Sequence, residues 1–139
     1  YTMISNFRGK YAFLSNFYEV PVSYHGYTFG SNEAAFQAAK CPNRAKEFVS
    51  LKPAEAKKLG RRVELRPEWE YIKERVMFEI VLNKFNQNPQ LAKMLLATGE
   101  EELVEGNTWG DRTWGVCDGV GQNRLGKILM KVRDLLKEL

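Results

Sequence analysis

Glu33 and Lys40 place a carboxylate and an amine seven residues apart in the segment Ser31-Asn32-Glu33-Ala34-Ala35-Phe36-Gln37-Ala38-Ala39-Lys40. A carboxylate can stabilise a developing cation or activate water, and an amine can act as a nucleophile or hold a phosphate. At about 3.6 residues per turn the interval is close to two turns. On a helix both side chains therefore point the same way, about 10 Å apart along the axis, with Gln37 between them. The helix itself is well signalled: Ser31 is a good N-cap, the alanines favour helix, and Cys41-Pro42 should end it. Phe36 can anchor it in a core. Capping electrostatics would select the same two residue types, acid at the N-terminus and base at the C-terminus, so spacing alone leaves both roles open.

Three further segments carry chemical potential. In Gly106-Asn107-Thr108-Trp109-Gly110-Asp111-Arg112-Thr113-Trp114-Gly115 two tryptophans stand five apart in a polar, glycine-bearing loop. Exposed indoles suit planar heterocycles, and stacking a base is worth about 1–3 kcal/mol; the alternative is that each plugs a core edge. Asp118-Gly119-Val120-Gly121-Gln122-Asn123-Arg124-Leu125-Gly126-Lys127 leads into a helix whose free N–H groups could take a phosphate, aided by Arg124 and Lys127. It matches neither a P-loop nor the dinucleotide fingerprint, and taken alone a plain glycine turn with Asn123 or Gln122 near the cap explains it better. In Arg8-Gly9-Lys10-Tyr11-Ala12-Phe13-Leu14-Ser15-Asn16-Phe17-Tyr18, Ser15 and Asn16 interrupt an aromatic run, either holding a turn or lining a pocket.

Composition narrows the classes. With 139 residues, 44% of them apolar, the chain reads as one domain, 1–139, able to bury its own core. It has no apolar run near the roughly 20 residues a bilayer requires and no visible signal peptide. An opening Tyr1 rather than methionine implies removal of an initiator or tag residue. Two separated cysteines, Cys41 and Cys117, fit a reducing cytoplasm, and with a single histidine, His25, no zinc site or other cofactor is expected. Residues 40–66 hold nine basic side chains against Glu47, Glu55 and Glu64, a net +6 in a chain whose total is +4. That segment suits a phosphate-bearing ligand or is a solvated helical face.

The elements that must position these groups are legible in outline. Val20, Val22 and Tyr24, then Tyr27 and Phe29, alternate about His25-Gly26 as a hairpin ending at Gly30, which puts His25 on an exposed turn and removes it as a catalytic base. Helices are expected over 31–40, 43–50, 53–59 with Gly60 as its stop, 67–86, 89–98 and 122–139, and a short strand over 102–105. Trp69 begins the apolar stripe of the long helix, which makes it a core candidate. The fold class is α+β: helix-rich with a small antiparallel sheet.

Tyr11-Ala12-Phe13-Leu14-Ser15-Asn16-Phe17, the Ser31–Lys40 segment, Arg66-Pro67-Glu68-Trp69, Trp114-Gly115 and Gly121-Gln122-Asn123-Arg124-Leu125-Gly126, in this order, resemble the NADAR, or YbiA-like, family over nearly the whole chain. The resemblance implies a compact α+β domain that hydrolyses N-glycosidic bonds. One branch of the family acts on phosphoribosylated pyrimidine intermediates of riboflavin synthesis, another on ADP-ribosylated guanine. By position, Glu33 is then the essential glutamate, Lys40 the lysine closing its motif, and Trp69 and Trp114 pocket tryptophans. Asp111 joins the catalytic candidates, with Asp118 as an alternative second carboxylate. Ser15, Asn16, Phe17, Gln37, Trp109, Gly121, Asn123 and Arg124 are the substrate-contact candidates. The implied partner is a ribosylated nucleobase or nucleotide, with ADP-ribosylated DNA as a further one, acted on by a stand-alone enzyme. The competing classes are a non-catalytic ADP-ribose or nucleotide-binding module and a nucleic-acid binder built on residues 40–66, for which +4 is a modest charge.

Overall fold

A computed structural model describes residues 2–139, so the opening Tyr1 lies outside the described residues. In chain order the elements are β1 (Met3–Ile4), β2 (Glu19–Tyr24), β3 (Tyr27–Ser31), α1 (Asn32–Ala39), α2 (Pro53–Gly60), α3 (Trp69–Gln87), α4 (Pro89–Ala97), β4 (Glu102–Leu103), β5 (Gly106–Asn107), β6 (Val116–Cys117) and α5 (Arg124–Lys137), with 3-10 turns at Gly9–Leu14 and Pro42–Phe48. The class is α+β and helix-dominated, as expected. The antiparallel pairing is β2 with β3. Two further pairs, β1 with β4 and β5 with β6, are parallel and only two residues long, too short to show a period in sequence.

Chain contacts divide the described residues into two units. The unit Asn16–Gln87 is built around α1, which packs against α2, α3 and the β2–β3 hairpin. All eight residues of α1 are buried. The alanines are therefore needed for close approach on every side, beyond their helix propensity. His25 and Gly26 both take positive φ, 48° and 88°, the backbone that a two-residue hairpin turn requires. Helix α3 starts at Trp69 rather than Pro67 because Glu68 sits at φ 68°, outside the helical region. Lys84 on α3 is fully buried, its ammonium 5.6 Å from the Tyr18 ring centre and 5.3 Å from that of Phe85. Burial lowers its pKa to about 7.

The other unit comprises the residues up to Ser15 together with Asn88–Leu139. Helix α5 buries Leu125, Ile128, Leu129, Val132 and Leu136, the apolar stripe visible in sequence. Gly126 lets it approach β4 closely, since a Cβ there would stand 2.1 Å from the Leu103 carbonyl oxygen. Arg133, buried on the same helix, donates to Thr98 Oγ1 and to the Glu101 carbonyl, both at 2.9 Å. Among the described residues no helix is long and apolar enough to cross a membrane.

Candidate active site

In the Asn16–Gln87 unit the site is assembled on α1. Ser31 caps it as expected, its Oγ accepting the Ala34 N–H at 3.1 Å. The next free amide of the first turn, Glu33 N–H, donates to the Asn16 carbonyl at 2.9 Å. Asn16 is thereby tied to the backbone of Glu33, and its side chain is tied to Asn32, whose Nδ2 donates to Asn16 Oδ1 at 3.3 Å. Asn16 Nδ2 reaches the Met77 sulfur at 3.5 Å, joining the cluster to α3. Asn32 was not anticipated from sequence; its place before Glu33 in the capping turn was the available signal.

The Glu33 carboxylate is buried, and its Oε2 accepts a 2.6 Å hydrogen bond from Gln37 Nε2, one turn along the helix. That short bond holds the carboxylate in place beside the positive end of the helix dipole. Gln37 was expected to contact substrate. Its Nε2 is bound to Glu33, and its buried Oε1 has no hydrogen-bond partner among the described residues. It lies against Gly60 of α2. Gly60, read as a helix stop, is the last residue of α2; it has no positive φ, so what its missing side chain provides is room.

Lys40 caps the C-terminal end of α1 and is half-buried. Its carbonyl accepts the Arg66 N–H at 2.8 Å, which fastens the chain leading into α3. Burial pushes the Lys40 ammonium below the usual lysine range; Glu33 opposes this, while Arg61, Lys73 and Lys57 reinforce it. Arg61 makes no ion pair among the described residues, whereas Lys73 is paired to Glu70 at 2.7 Å. Phe17 is 43% exposed and lies under the Lys57 ammonium, 5.9 Å from its ring centre. Trp69 is buried, its ring 5.2 Å from that of Phe36 at 51°. It packs against the site helix as the apolar stripe implied. Thus Asn16, Phe17, Glu33, Gln37, Lys40 and Trp69 all fall in one unit.

The remaining candidates fall in the other unit. Ser15 closes the Gly9–Leu14 turn through its N–H, bonded to the Ala12 carbonyl at 3.0 Å. Trp109 is largely exposed and Trp114 half-buried. Asp111, expected among the catalytic groups, shapes their loop: its Oδ1 accepts the N–H groups of Thr113 and Trp114 at 3.1 and 2.9 Å. Asn107 completes the turn with bonds to both the N–H and the carbonyl of Asp111. Asp118 is exposed, 3.8 Å from Arg112.

At the start of α5, where a phosphate was expected, the N–H groups of Arg124 and Leu125 donate to the carbonyls of Thr113 and Trp114, at 3.2 and 3.0 Å. Asn123 joins β4 to the following chain, with Oδ1 accepting from Glu105 N and Nδ2 donating to the Leu103 carbonyl, each at 3.0 Å. At Gly121 a Cβ would stand 2.1 Å from the Gly115 carbonyl oxygen. Gly121 and Asn123 therefore hold the fold here, and Arg124 Nε bonds Gln122 Oε1 at 2.9 Å. Glu105, read only as part of a strand, has its carboxyl raised to about 7 by burial and by Asp111, against the pull of Arg8.

Comparison with known proteins agrees with this architecture. Residues 3–137 match the NADAR domain family. A riboflavin biosynthesis protein of Vibrio vulnificus is 41% identical over 135 residues, 93% of this chain; the chain spans only 36% of that protein's length. The N-glycosidase YbiA of Shigella boydii is 38% identical over 132 residues, covering 91% of this chain and 82% of the relative. The solution structure of Escherichia coli YbiA superposes with a TM-score of 0.86 at 38% identity, over 99% of this chain and 86% of that one.

Proposed function

The chain belongs to the NADAR family, and from that premise we propose that it hydrolyses the N-glycosidic bond between a ribose phosphate, or ADP-ribose, and a nitrogen heterocycle. The observation that carries this reading is the buried Glu33 carboxylate, held by Gln37 on the same helix as an amine of lowered pKa. Relatives named as an N-glycosidase and as a riboflavin biosynthesis protein support it.

Cleavage of an N-riboside builds positive charge on the anomeric carbon and ring oxygen. A fixed, ionised carboxylate stabilises that charge without reorganising, and can take a proton from the attacking water. Glu33 has this role. The C1–N electron pair leaves with the base, which takes up a proton. Lys40 offers a second route: a neutral amine can attack C1 of an opening ribose, expel the base, and give a Schiff base that water hydrolyses. Its lowered pKa supports that route, because only the unprotonated amine is a nucleophile. A phosphate-clamping Lys40 would instead gain from Lys57 and Arg61 beside it.

We assign contact with the base or sugar to Phe17, on its exposed ring. ADP-ribosylated DNA stays among the proposed substrates. A cytoplasmic setting is supported by two free thiols, Cys41 and Cys117. The 139 residues are proposed to form a single NADAR domain. Incubation with phosphoribosylaminopyrimidines, ADP-ribosylated guanine in DNA, and NAD, with released base and sugar phosphate followed by mass spectrometry, tests the reading. Release from at least one substrate is expected; none from any would favour a binding module.

A further inference from the structure

We propose that Gly60 is a positioning residue for Glu33, acting across the α1–α2 packing through Gln37. A Cβ added to Gly60 would lie 1.8 Å from Gln37 Oε1, 2.7 Å from Cδ and 3.2 Å from Cβ of the same side chain. Nothing but Gln37 is met within this range. The carboxamide is therefore seated directly on the bare Gly60 backbone, where a Cα–H can face its oxygen.

That seat decides which way the carboxamide points. With Oε1 turned to Gly60, Nε2 is turned to Glu33 and makes the 2.6 Å bond. Gln37 is buried, so its carboxamide has little freedom to find another arrangement. Glu33 is thus fixed from two sides: its backbone by the Asn16 carbonyl and its carboxylate by Gln37. The inference rests on the hydrolase reading for its effect on rate, though the linkage itself is structural.

The same geometry makes the substitution Gly60→Ala informative. The backbone at Gly60 is not in the left-handed region, and alanine is the better helix former, so α2 tolerates the change. The two closest atoms, Oε1 and Cδ, are the far end of a flexible side chain, while Gln37 Cβ at 3.2 Å has to give by only a few tenths of an ångström. Relief comes from swinging the Gln37 carboxamide aside, which breaks its bond to Glu33 while leaving the core intact. A methyl group on a neighbouring helix would then disable a carboxylate it never touches.

The test combines kinetics with a readout independent of turnover. In 1H–15N spectra, with Q37A identifying the signals, the Gln37 side-chain amide should lie far from the free-amide position in native protein. It should move towards that position in both E33Q and G60A. The G60A variant should lose about tenfold in kcat, the scale of a hydrogen bond to a charged group, with KM within about twofold. Adding G60A to Q37A should leave kcat unchanged, because the carboxamide it displaces is already absent. Native kcat and an unmoved amide signal in G60A would overturn the proposal. So would failure of G60A to fold, or an equal loss of activity in the Q37A background. If native protein cleaves no N-riboside while the amide signals move as described, the hydrolase reading falls and the linkage stands.

Discussion

Glu33 and Lys40 are electrostatically coupled along a single buried helix: the carboxylate holds the Lys40 ammonium up while burial and three neighbouring cations press it down. In Glu33→Gln the upward influence is lost, so the Lys40 pKa should fall further. Reductive 13C-methylation of the protein, with the Lys40 dimethylamine signal followed against pH, reads this directly. A Lys40 titration that stays in place in E33Q would show that the two groups do not communicate.

Lys57 and Arg61 act on Lys40 with the opposite sign. Replacing either with alanine removes a nearby positive charge, makes protonation of Lys40 easier and raises its pKa. A step that needs the free amine should then slow at neutral pH and recover at higher pH, with the difference from native narrowing in high salt. Borohydride trapping of a substrate adduct across pH checks this; adducts formed equally by K57A, R61A and native protein would count against it.

Asp111 is expected to matter for its loop. Asp111→Ala removes the acceptor for two amides and should cost about 1–2 kcal/mol in urea unfolding, with a change in tryptophan emission. Asp111→Asn keeps Oδ1 and should restore most of the stability and the activity. If D111N is as stable as native protein yet inactive, the carboxylate itself takes part in the chemistry.

Glu105 should make stability fall with rising pH over part of the range. Its folded pKa is raised to about 7 from an ordinary 4.5, so the native state holds a proton the unfolded chain has released. The contribution is whole below about pH 4.5 and is lost as pH rises towards 7, amounting to roughly 2–3 kcal/mol at most. Glu105→Gln should abolish this slope, measured as denaturant midpoint against pH. A slope unchanged in E105Q would mean that another group causes it.

Local signals made much of this fold legible. The Ser31 cap, the His25-Gly26 turn and the apolar stripe of α5 each lie within one short stretch, and each is present. The parallel pairs of β1 with β4 and β5 with β6 join distant residues through two positions each, leaving no periodic trace. At the site, Glu33 and Lys40 were visible because one helix spaces them. The bond from Gln37 to Glu33 also lies within that helix, but the seat on Gly60 depends on how α2 packs. Asp111 was read as a catalytic candidate and Asn123 as a substrate contact because their residue types suit those roles, and the same side chains suit loops. Only the hydrogen bonds in the fold separate the two uses.

If Glu33 drives N-glycosidic cleavage, Glu33→Gln separates turnover from affinity. On a riboside cleaved by native protein, E33Q should lose about 100-fold or more in kcat while its Kd, measured by calorimetry, stays within a few-fold. An E33Q variant that turns over as native protein does would contradict the account.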